Sequence, residues 1–245
     1  VSGTVVAIRA DGTRVELKVG DPVYQGDTLE SAEDGAIGVV LADETSFSMG
    51  DSGRMVLDEM VYDPGTQEGS ISMSVVQGVF TFVSGHVAKT DPDAMTLNTP
   101  VATIGIRGTQ VGIEIPPGGG DVNVVLMQEG DGFVGEVVII NEGGIQVMNL
   151  ASQFSTITGA NVAPSAPSIM SDSDMVSRFA PALKSLPATD NNNANKFGLQ
   201  EAAAEVEEEE IEEVAEEEIE EIAAVEEVEE IAAVEEVEEI AAVEE

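Results

Sequence analysis

The chain has 245 residues, with 48 acidic side chains, nine basic ones and a formal net charge of −39. This negative field repels nucleic acids and anionic lipid headgroups, because binding to either depends on Lys and Arg neutralising phosphate charge. The chain contains no cysteine, which excludes disulfides and thiolate metal sites, and no apolar run approaches the roughly 20 residues of a membrane span.

Short runs of alternating apolar residues, bounded by Gly, Asp, Asn or Pro, fill the chain from Gly3 to about Ile157. In residues 15–19 apolar side chains alternate with Glu and Lys, and in 71–75 they alternate with Ser. This period of two predicts strands with one buried face. Further strands are predicted at 5–9, 37–41, 79–83, 101–107, 111–115, 122–127, 137–141 and 145–150.

No helical period of useful length interrupts these strands, so we predict an all-β fold. Many short, closely spaced strands are typical of a β-sandwich, a roll or a β-solenoid. With no Trp and few other aromatic residues, Val, Ile, Leu and Met must fill the interior. We therefore expect a thin, aliphatic core within residues 1–160.

Residues 161–200 change in composition towards Pro, Ser, Ala and Asn, which is typical of an extended linker. Asp172 and Asp174 are candidate N-caps for one short helix, and Pro181 limits its length. The apolar residues at helical spacing that predict this helix are Met175, Val176, Phe179, Leu183 and Leu186.

Residues 201–245 form a low-complexity tail with 23 Glu and no basic residue. The nine-residue unit I-A-A-V-E-E-V-E-E occurs at 222–230 and 231–239. At about 100° per residue, successive units face opposite sides of a helix, so no continuous apolar stripe forms. We predict a disordered tail or one that fluctuates between helix and coil, with more helix at low pH, where the repulsion between carboxylates is lost.

One segment and its neighbours resemble a known family. Residues 99–109 read T-P-V-A-T-I-G-I-R-G-T, and V-G-I follows at 111–113. Upstream lie two Gly-Asp turns in 19–31, a strand, acidic turn and strand ending in Gly in 36–50, and Q-G-V-F-T-F at 77–82. In this order the segments are similar to FecR-like domains, named for the regulator of ferric-citrate uptake, and the similarity covers roughly residues 3–160.

The resemblance implies an extracytoplasmic, protein-binding β domain. In founding members of the family an outer-membrane receptor contacts the periplasmic FecR domain, which controls a sigma factor through a membrane helix. The family motif implies a set of residues with structural or partner-contact roles: Thr99, Pro100, Gly105, Arg107, Gly108 and Thr109.

Arg107 lies between two glycines, where a guanidinium either closes a turn, pairs with a nearby acid or contacts a partner. We favour the structural role, since glycines beside a bulky side chain often mark a close backbone approach.

The residues do not predict catalysis. His86 is the sole histidine, and with Asp91 and Asp93 it could be drawn into a Ser, His, Asp arrangement, but no nucleophile-elbow sequence accompanies it. The acid pairs Asp91 with Asp93 and Asp172 with Asp174 lack the order of an EF-hand, so we expect turn capping. We expect no cofactor, apart from a weak attraction of the tail for divalent cations.

The sequence thus predicts a non-enzymatic extracytoplasmic FecR-like module, in the periplasm or at the cell surface, that binds a protein partner, senses a signal or acts as a scaffold. Because it begins without Met and stops within a repeat, we expect it to be the N-terminal part of a larger surface protein. The alternative is a glycan-binding or adhesive module, which would need more aromatic platforms than two Tyr and seven Phe supply.

Overall fold

The computed structural model describes residues 1–91 and 93–187, and the predicted tail lies outside these residues. The described part is mostly strand, so the predicted all-β class is confirmed. In chain order its elements are β1 Val5–Ile8, β2 Arg14–Glu16, β3 Thr28–Ser31, β4 Ile37–Val40, β5 Ser46–Met49, β6 Arg54–Tyr62, β7 Gly69–Val83, α1 Val87–Thr90, β8 Met95–Asn98, β9 Thr103–Arg107, β10 Gln110–Ile115, β11 Val122–Met127, β12 Glu136–Asn141, β13 Gly144–Met148, β14 Gln153–Ile157, β15 Ser168–Ile169 and α2 Asp172–Leu183.

The long strand β7 joins two halves of one mixed sheet. Its first part pairs with β6 and β8, and its last part pairs with β5 and β10. We call these halves sheet I, in the order β2-β1-β3-β6-β7-β8-β9-β12-β13, and sheet II, in the order β4-β5-β7-β10-β11-β14-β15. Every pairing between these strands is antiparallel except β7 with β8, which identifies a roll and not a parallel solenoid.

Gly78 lies where β7 passes from sheet I to sheet II. Its φ of +114° is unfavourable for residues with a side chain, and an added Cβ would lie 2.6 Å from the Cα of Gly53. The sequence predicted separate strands at 71–75 and 79–83, and the structure has one continuous strand through both. Glycine at this position allows a single strand to serve two half-sheets.

One hydrophobic core lies between the inner faces of the two half-sheets. It is largely Val, Ile, Leu and Met, as expected, but Phe47, Phe80 and Phe82 are also completely buried in it. The ring centroids of Phe47 and Phe82 are 5.8 Å apart, and those of Phe80 and Phe82 are 6.1 Å apart. The prediction of an aliphatic interior was therefore incomplete, because the few aromatic residues are concentrated in the core.

Helix α2 packs on the outer face of sheet II. A row of mostly small residues crosses this face from strand to strand: Gly38, Ser48, Thr81, Gly112 and Val125. A Cβ at Gly112 would come within 2.7 Å of the Phe179 ring, and one at Gly38 within 2.0 Å of the Ser185 carbonyl oxygen. The small side chains thus leave a trough in which α2 and the residues after it lie. The described part of the expected linker 161–200 therefore includes a helix packed on the β domain.

The prediction of Asp172 or Asp174 as N-cap was wrong. Ser171 is the N-cap of α2: its hydroxyl accepts a hydrogen bond from the Asp174 N–H at 3.1 Å and donates one to the Asp174 carboxylate at 2.7 Å. The first bond is the usual contact of an N-cap residue, whereas the second joins two side chains, so Ser171 satisfies one backbone N–H of the first turn. Neither helix of the described residues combines the length and apolar character needed to cross a bilayer.

Candidate functional site

The family motif 99–109 lies where β8, β9 and β10 follow one another, beside the short helix α1. Thr99 ends β8 with a tight turn, because its hydroxyl donates to the Ala102 carbonyl at 2.9 Å and accepts from the Ala102 N–H at 3.0 Å. Pro100 is exposed in this turn. Thr99 and Pro100 therefore shape the connection into β9.

Gly105 lies in the middle of β9, between Thr96 of β8 and Val138 of β12. A Cβ there would meet nothing closer than the Val138 carbonyl oxygen at 3.9 Å, so the described structure gives no steric reason for glycine at 105. Gly108 differs, since its φ of +61° is in the left-handed region. It turns the chain from β9 into β10.

The guanidinium of Arg107 lies between two carboxylates. Its Nη2 donates to Asp93 at 2.9 Å, and its Nη1 donates to Glu136. The hydrogen bond with Asp93 is the largest cause of a raised pKa of Arg107, and Glu136 acts in the same direction. Pairing with nearby acids was one of the alternatives for this residue, and the partners come from β12 and from the loop before β8. Arg107 thus connects segments that are distant in sequence.

Thr109 belongs to a buried polar network that the sequence did not predict. Its N–H donates to the Ser84 hydroxyl at 2.7 Å, and its hydroxyl donates to the Met127 carbonyl at 3.0 Å. Ser84 in turn donates to Glu129 at 3.2 Å, and Lys89 reaches the other oxygen of Glu129 at 3.1 Å. We call Ser84, Lys89, Thr109 and Glu129 the Thr109 network. It connects the end of β7, helix α1, the start of β10 and the end of β11.

Glu129 is the acidic residue of this network, and its pKa is shifted. Its side chain is completely inaccessible, and burial raises the pKa of Glu129, while the hydrogen bond and charge of Lys89 act in the opposite direction. A buried carboxylate with one cationic partner is strongly destabilised when that partner is removed. The network therefore stabilises, through hydrogen bonds and one ion pair, the end of the roll that carries the motif.

A second buried acid, Asp43, holds the start of α1. Its carboxylate accepts from the Thr45 N–H at 3.0 Å, from the Thr45 hydroxyl at 2.7 Å and from the Val87 N–H at 3.3 Å. The carbonyl of Asp43 accepts from the His86 N–H at 2.8 Å. The turn after β4 is thereby tied to the segment between β7 and β8.

The structure does not bring His86 together with the acids that the sequence offered for a triad. The His86 Nε2 lies 3.3 Å from a carboxylate oxygen of Glu44, and its ring stacks on Tyr62 with centroids 6.4 Å apart. Asp91 accepts from the N–H of Asp93, and Asp93 binds Arg107. The acids near His86 in sequence therefore have structural partners of their own.

One of the two carboxylate pairs caps a turn in the way that the sequence predicted, because Asp91 accepts from the Asp93 N–H at 3.0 Å. In the other pair, the Asp174 carboxylate accepts from the Ser171 hydroxyl at 2.7 Å. Among residues 1–91 and 93–187, no group of three or more His, Cys, Asp or Glu side chains is arranged to hold a metal ion.

Part of the chain matches the model of a known protein family. Residues 27–130 match the family model described as FecR protein, which confirms the resemblance noted in the sequence. The matched region contains the complete motif and all four residues of the Thr109 network. This match points to a signalling or regulatory family. No curated protein matches the chain.

The solved structures similar to this chain include two of a candidate anti-sigma factor from Parabacteroides distasonis ATCC 8503, at 1.65 Å and 2.50 Å resolution. Each is 11% identical in sequence, with a TM-score of 0.42. The match covers 56% of this chain and 57% of that chain, so it spans little more than half the length of either protein.

Proposed function

We propose, on the premise that residues 27–130 form a FecR domain, that the chain is a non-enzymatic module that binds a protein partner outside the cytoplasm and relays or scaffolds a signal. The observation that carries this proposal is the match to the FecR family over the segment that contains the motif. Location in the periplasm or at the cell surface is part of the proposal and follows from the family.

The charge distribution supports a protein as the partner. A net charge of −39 repels nucleic acids and anionic membranes, whereas it attracts basic protein surfaces and speeds their approach. Exposed aromatic side chains, which glycan platforms use, are sparse in the described residues: Tyr24 and Phe133 are the large exposed ones. This composition favours protein binding over the glycan-binding alternative.

We further propose that four of the six motif residues have structural roles. Thr99 holds a turn, Gly108 supplies a left-handed backbone conformation, Arg107 pairs with Asp93 and Glu136, and Thr109 joins the buried network. These side chains are occupied by intramolecular bonds, which supports assigning partner contact to another surface.

Affinity capture tests the proposed function. The tagged, immobilised chain is incubated with detergent extracts of the source cell envelope, and retained material is identified by mass spectrometry and by polysaccharide staining. Synthetic peptide 201–245 is added as a competitor, because it removes proteins held only by the charge of the tail. Retention of a defined protein in the presence of this competitor is the expected result.

Two results would count against the proposal. Retention of polysaccharide alone would favour the adhesive alternative. Recovery of the native protein only in the cytoplasmic fraction, protected from protease in intact and in outer-membrane-permeabilised cells, would reject the extracytoplasmic location.

A further inference from the structure

The strand β4 has a free edge in the described part of the chain. It pairs with β5 on one side and has no strand on the other. The Leu41 N–H donates to the Thr45 carbonyl at 2.7 Å across the turn between them, and hydrogen bonds alternate in an antiparallel pair. The backbone groups of Gly38 and Val40 therefore face away from β5.

One bridge marks the register for pairing on this edge. The Ser2 N–H donates to the Ala36 carbonyl at 2.8 Å, and the Ala36 N–H donates to the Ser2 carbonyl at 2.9 Å. An antiparallel strand that continues this pairing would place its residues opposite Gly38 and Val40. Its backbone would then satisfy the free donors and acceptors of both residues.

An apolar cleft of about 490 Å³ opens beside the same edge. It leads into the space between the half-sheets and lies between β4, β6 and the loop that follows β2. Side chains of an added strand point to the same face as the residues opposite them, so those opposite Val39 and Leu41 would enter the cleft. The apolar residues that line it include Leu17, Val23, Ile37, Val39, Leu57 and Met60.

The far wall of the cleft is held in place before any ligand binds. Arg9 donates to the Pro22 carbonyl at 3.2 Å and lies over the Tyr24 ring, 4.9 Å from its centroid. The Gly26 N–H donates to the Leu57 carbonyl at 2.6 Å, and the Tyr24 N–H donates to the Asp27 carboxylate at 2.7 Å. A preorganised wall reduces the entropy lost on binding.

The charge around the cleft indicates what kind of segment binds there. The charged side chains that line the cleft are Lys18, Asp21 and Glu59, and residues 1–200, with 25 acidic and nine basic side chains, carry a net charge of −16. The glutamate-rich residues 201–245 and a second copy of this chain both bring a large negative charge, which opposes their approach. A segment that alternates apolar and basic residues fits both the cleft and the field.

We propose that the β4 edge and the adjoining cleft form a docking site for an extended segment of a partner protein, with alternating apolar and basic residues, which adds to sheet II as an antiparallel strand. This assignment rests on the proposed protein-binding function and gives it a location. The apolar side chains enter the cleft, and the basic ones lie on the opposite face, which is exposed at Val40 and bordered by Ser185 and Pro187 at Gly38.

Backbone amide exchange measured by NMR on the whole chain tests the site. The probe is a synthetic heptapeptide of alternating valine and lysine. We expect the amides of Gly38 and Val40 to exchange at least about tenfold more slowly when the probe is saturating, since a tenfold change corresponds to one modest hydrogen-bonding contribution. A probe N-methylated on the backbone edge that faces β4 keeps its charge and is expected to give no such protection.

One variant tests the β4 edge, and a second variant is its matched control. Val40→Pro removes the outward N–H of β4 and should weaken probe binding roughly tenfold or more. Val147→Pro places the same change at an exposed valine of β13, the edge strand of sheet I, and should leave binding within about twofold of wild type. The N-methylated probe remains decisive if Val40→Pro does not fold.

Several results would overturn the assignment. Equal protection by the N-methylated probe would mean attraction by charge alone, and equal binding of a valine and glutamate probe would reject the charge argument. Protection of Gly38 without probe that grows with protein concentration would mean that a second copy occupies the edge.

The site and the proposed function fail in different ways. Capture of the same envelope protein by wild type and by a folded Val40→Pro variant would retain the function and reject this site. Binding of the probe at β4 with no protein captured from the envelope would retain the site and reject the function.

Discussion

Phe179→Ala should release helix α2 from sheet II while the β core stays folded. Three fully or nearly fully buried side chains anchor this helix: Met175, Phe179 and Leu183. At about 1.5–3 kcal/mol for each side chain, their burial contributes roughly 5–9 kcal/mol.

Buried polar groups on the outer face of sheet II reduce the free energy gained when α2 is buried there. The hydroxyls of Ser46, Ser48 and Thr81 are buried there without a hydrogen-bond partner in the described residues. An unsatisfied buried polar group costs about 1–3 kcal/mol, so the three together cost roughly 3–9 kcal/mol, which water would relieve if α2 left. The two totals are comparable, so the net free energy of docking α2 is small. The burial free energy lost with the phenyl group of Phe179 exceeds this net value.

Hydrogen exchange read by mass spectrometry distinguishes local release from global unfolding. In Phe179→Ala we expect peptides from 172–183 to exchange at nearly the rate of unfolded chain, with β7 and β10 still protected. The matched control is Phe80→Ala in the main core, where a cost of about 3–5 kcal/mol should appear as lower protection throughout the β domain. Retained protection of α2 in Phe179→Ala, or loss of protection in β7 to the same degree, would refute this reasoning.

Three further variants test the trough and the motif. Ser48→Ala removes one unpaired hydroxyl and should raise protection of α2 by about 1–3 kcal/mol in the same exchange experiment, and unchanged protection would contradict the estimate. Gly112→Val puts side-chain atoms within 2.7 Å of Phe179 and should release α2, with Gly105→Val as the control in β9, where the nearest atom to an added Cβ is 3.9 Å away. Because burial raises the pKa of Glu129, this side chain stabilises the fold fully at low pH, and its contribution to the free energy of unfolding is lost as the pH rises through the raised pKa. Glu129→Gln removes this pH-dependent loss. The unfolding free energy of that variant minus that of wild type should thus increase between about pH 4 and pH 7 in urea titrations, and a flat difference would reject the assignment.

The sequence alone predicted the fold class and the position of the family motif. Alternation of apolar and polar residues is a local signal, and Gly, Asp and Asn mark turns through their own backbone and side-chain preferences. The same local logic located the helix near 175–183. Alternation missed β3, β5, β6, β8, β14 and β15, although the family resemblance indicated β5 as a strand ending in glycine. The S-F-S-M and M-T-L-N segments of β5 and β8 are short and half polar. The local logic also favoured Asp172 and Asp174 over Ser171 as the helix cap.

The partners of the motif could not be read from the sequence. Arg107 meets an acid 14 residues away and another 29 residues away, and Lys89 meets Glu129 across 40 residues. Such pairs depend on which strands become neighbours. Proximity along the chain suggested Asp91 and Asp93 as partners of His86, whereas in the folded roll Glu44 lies beside the His86 imidazole.

By itself the sequence determined that this protein buries one face of many short strands, carries a strong negative field and contains the FecR motif. Only the tertiary structure decided that β7 serves two half-sheets, that α2 lies in a trough of small residues, and that no strand among residues 1–91 and 93–187 covers the outer edge of β4 beside the cleft. The physical reason is that a hydrophobic period reports which side chains avoid water, while strand order and register determine which of them pack together and which backbone groups stay unpaired.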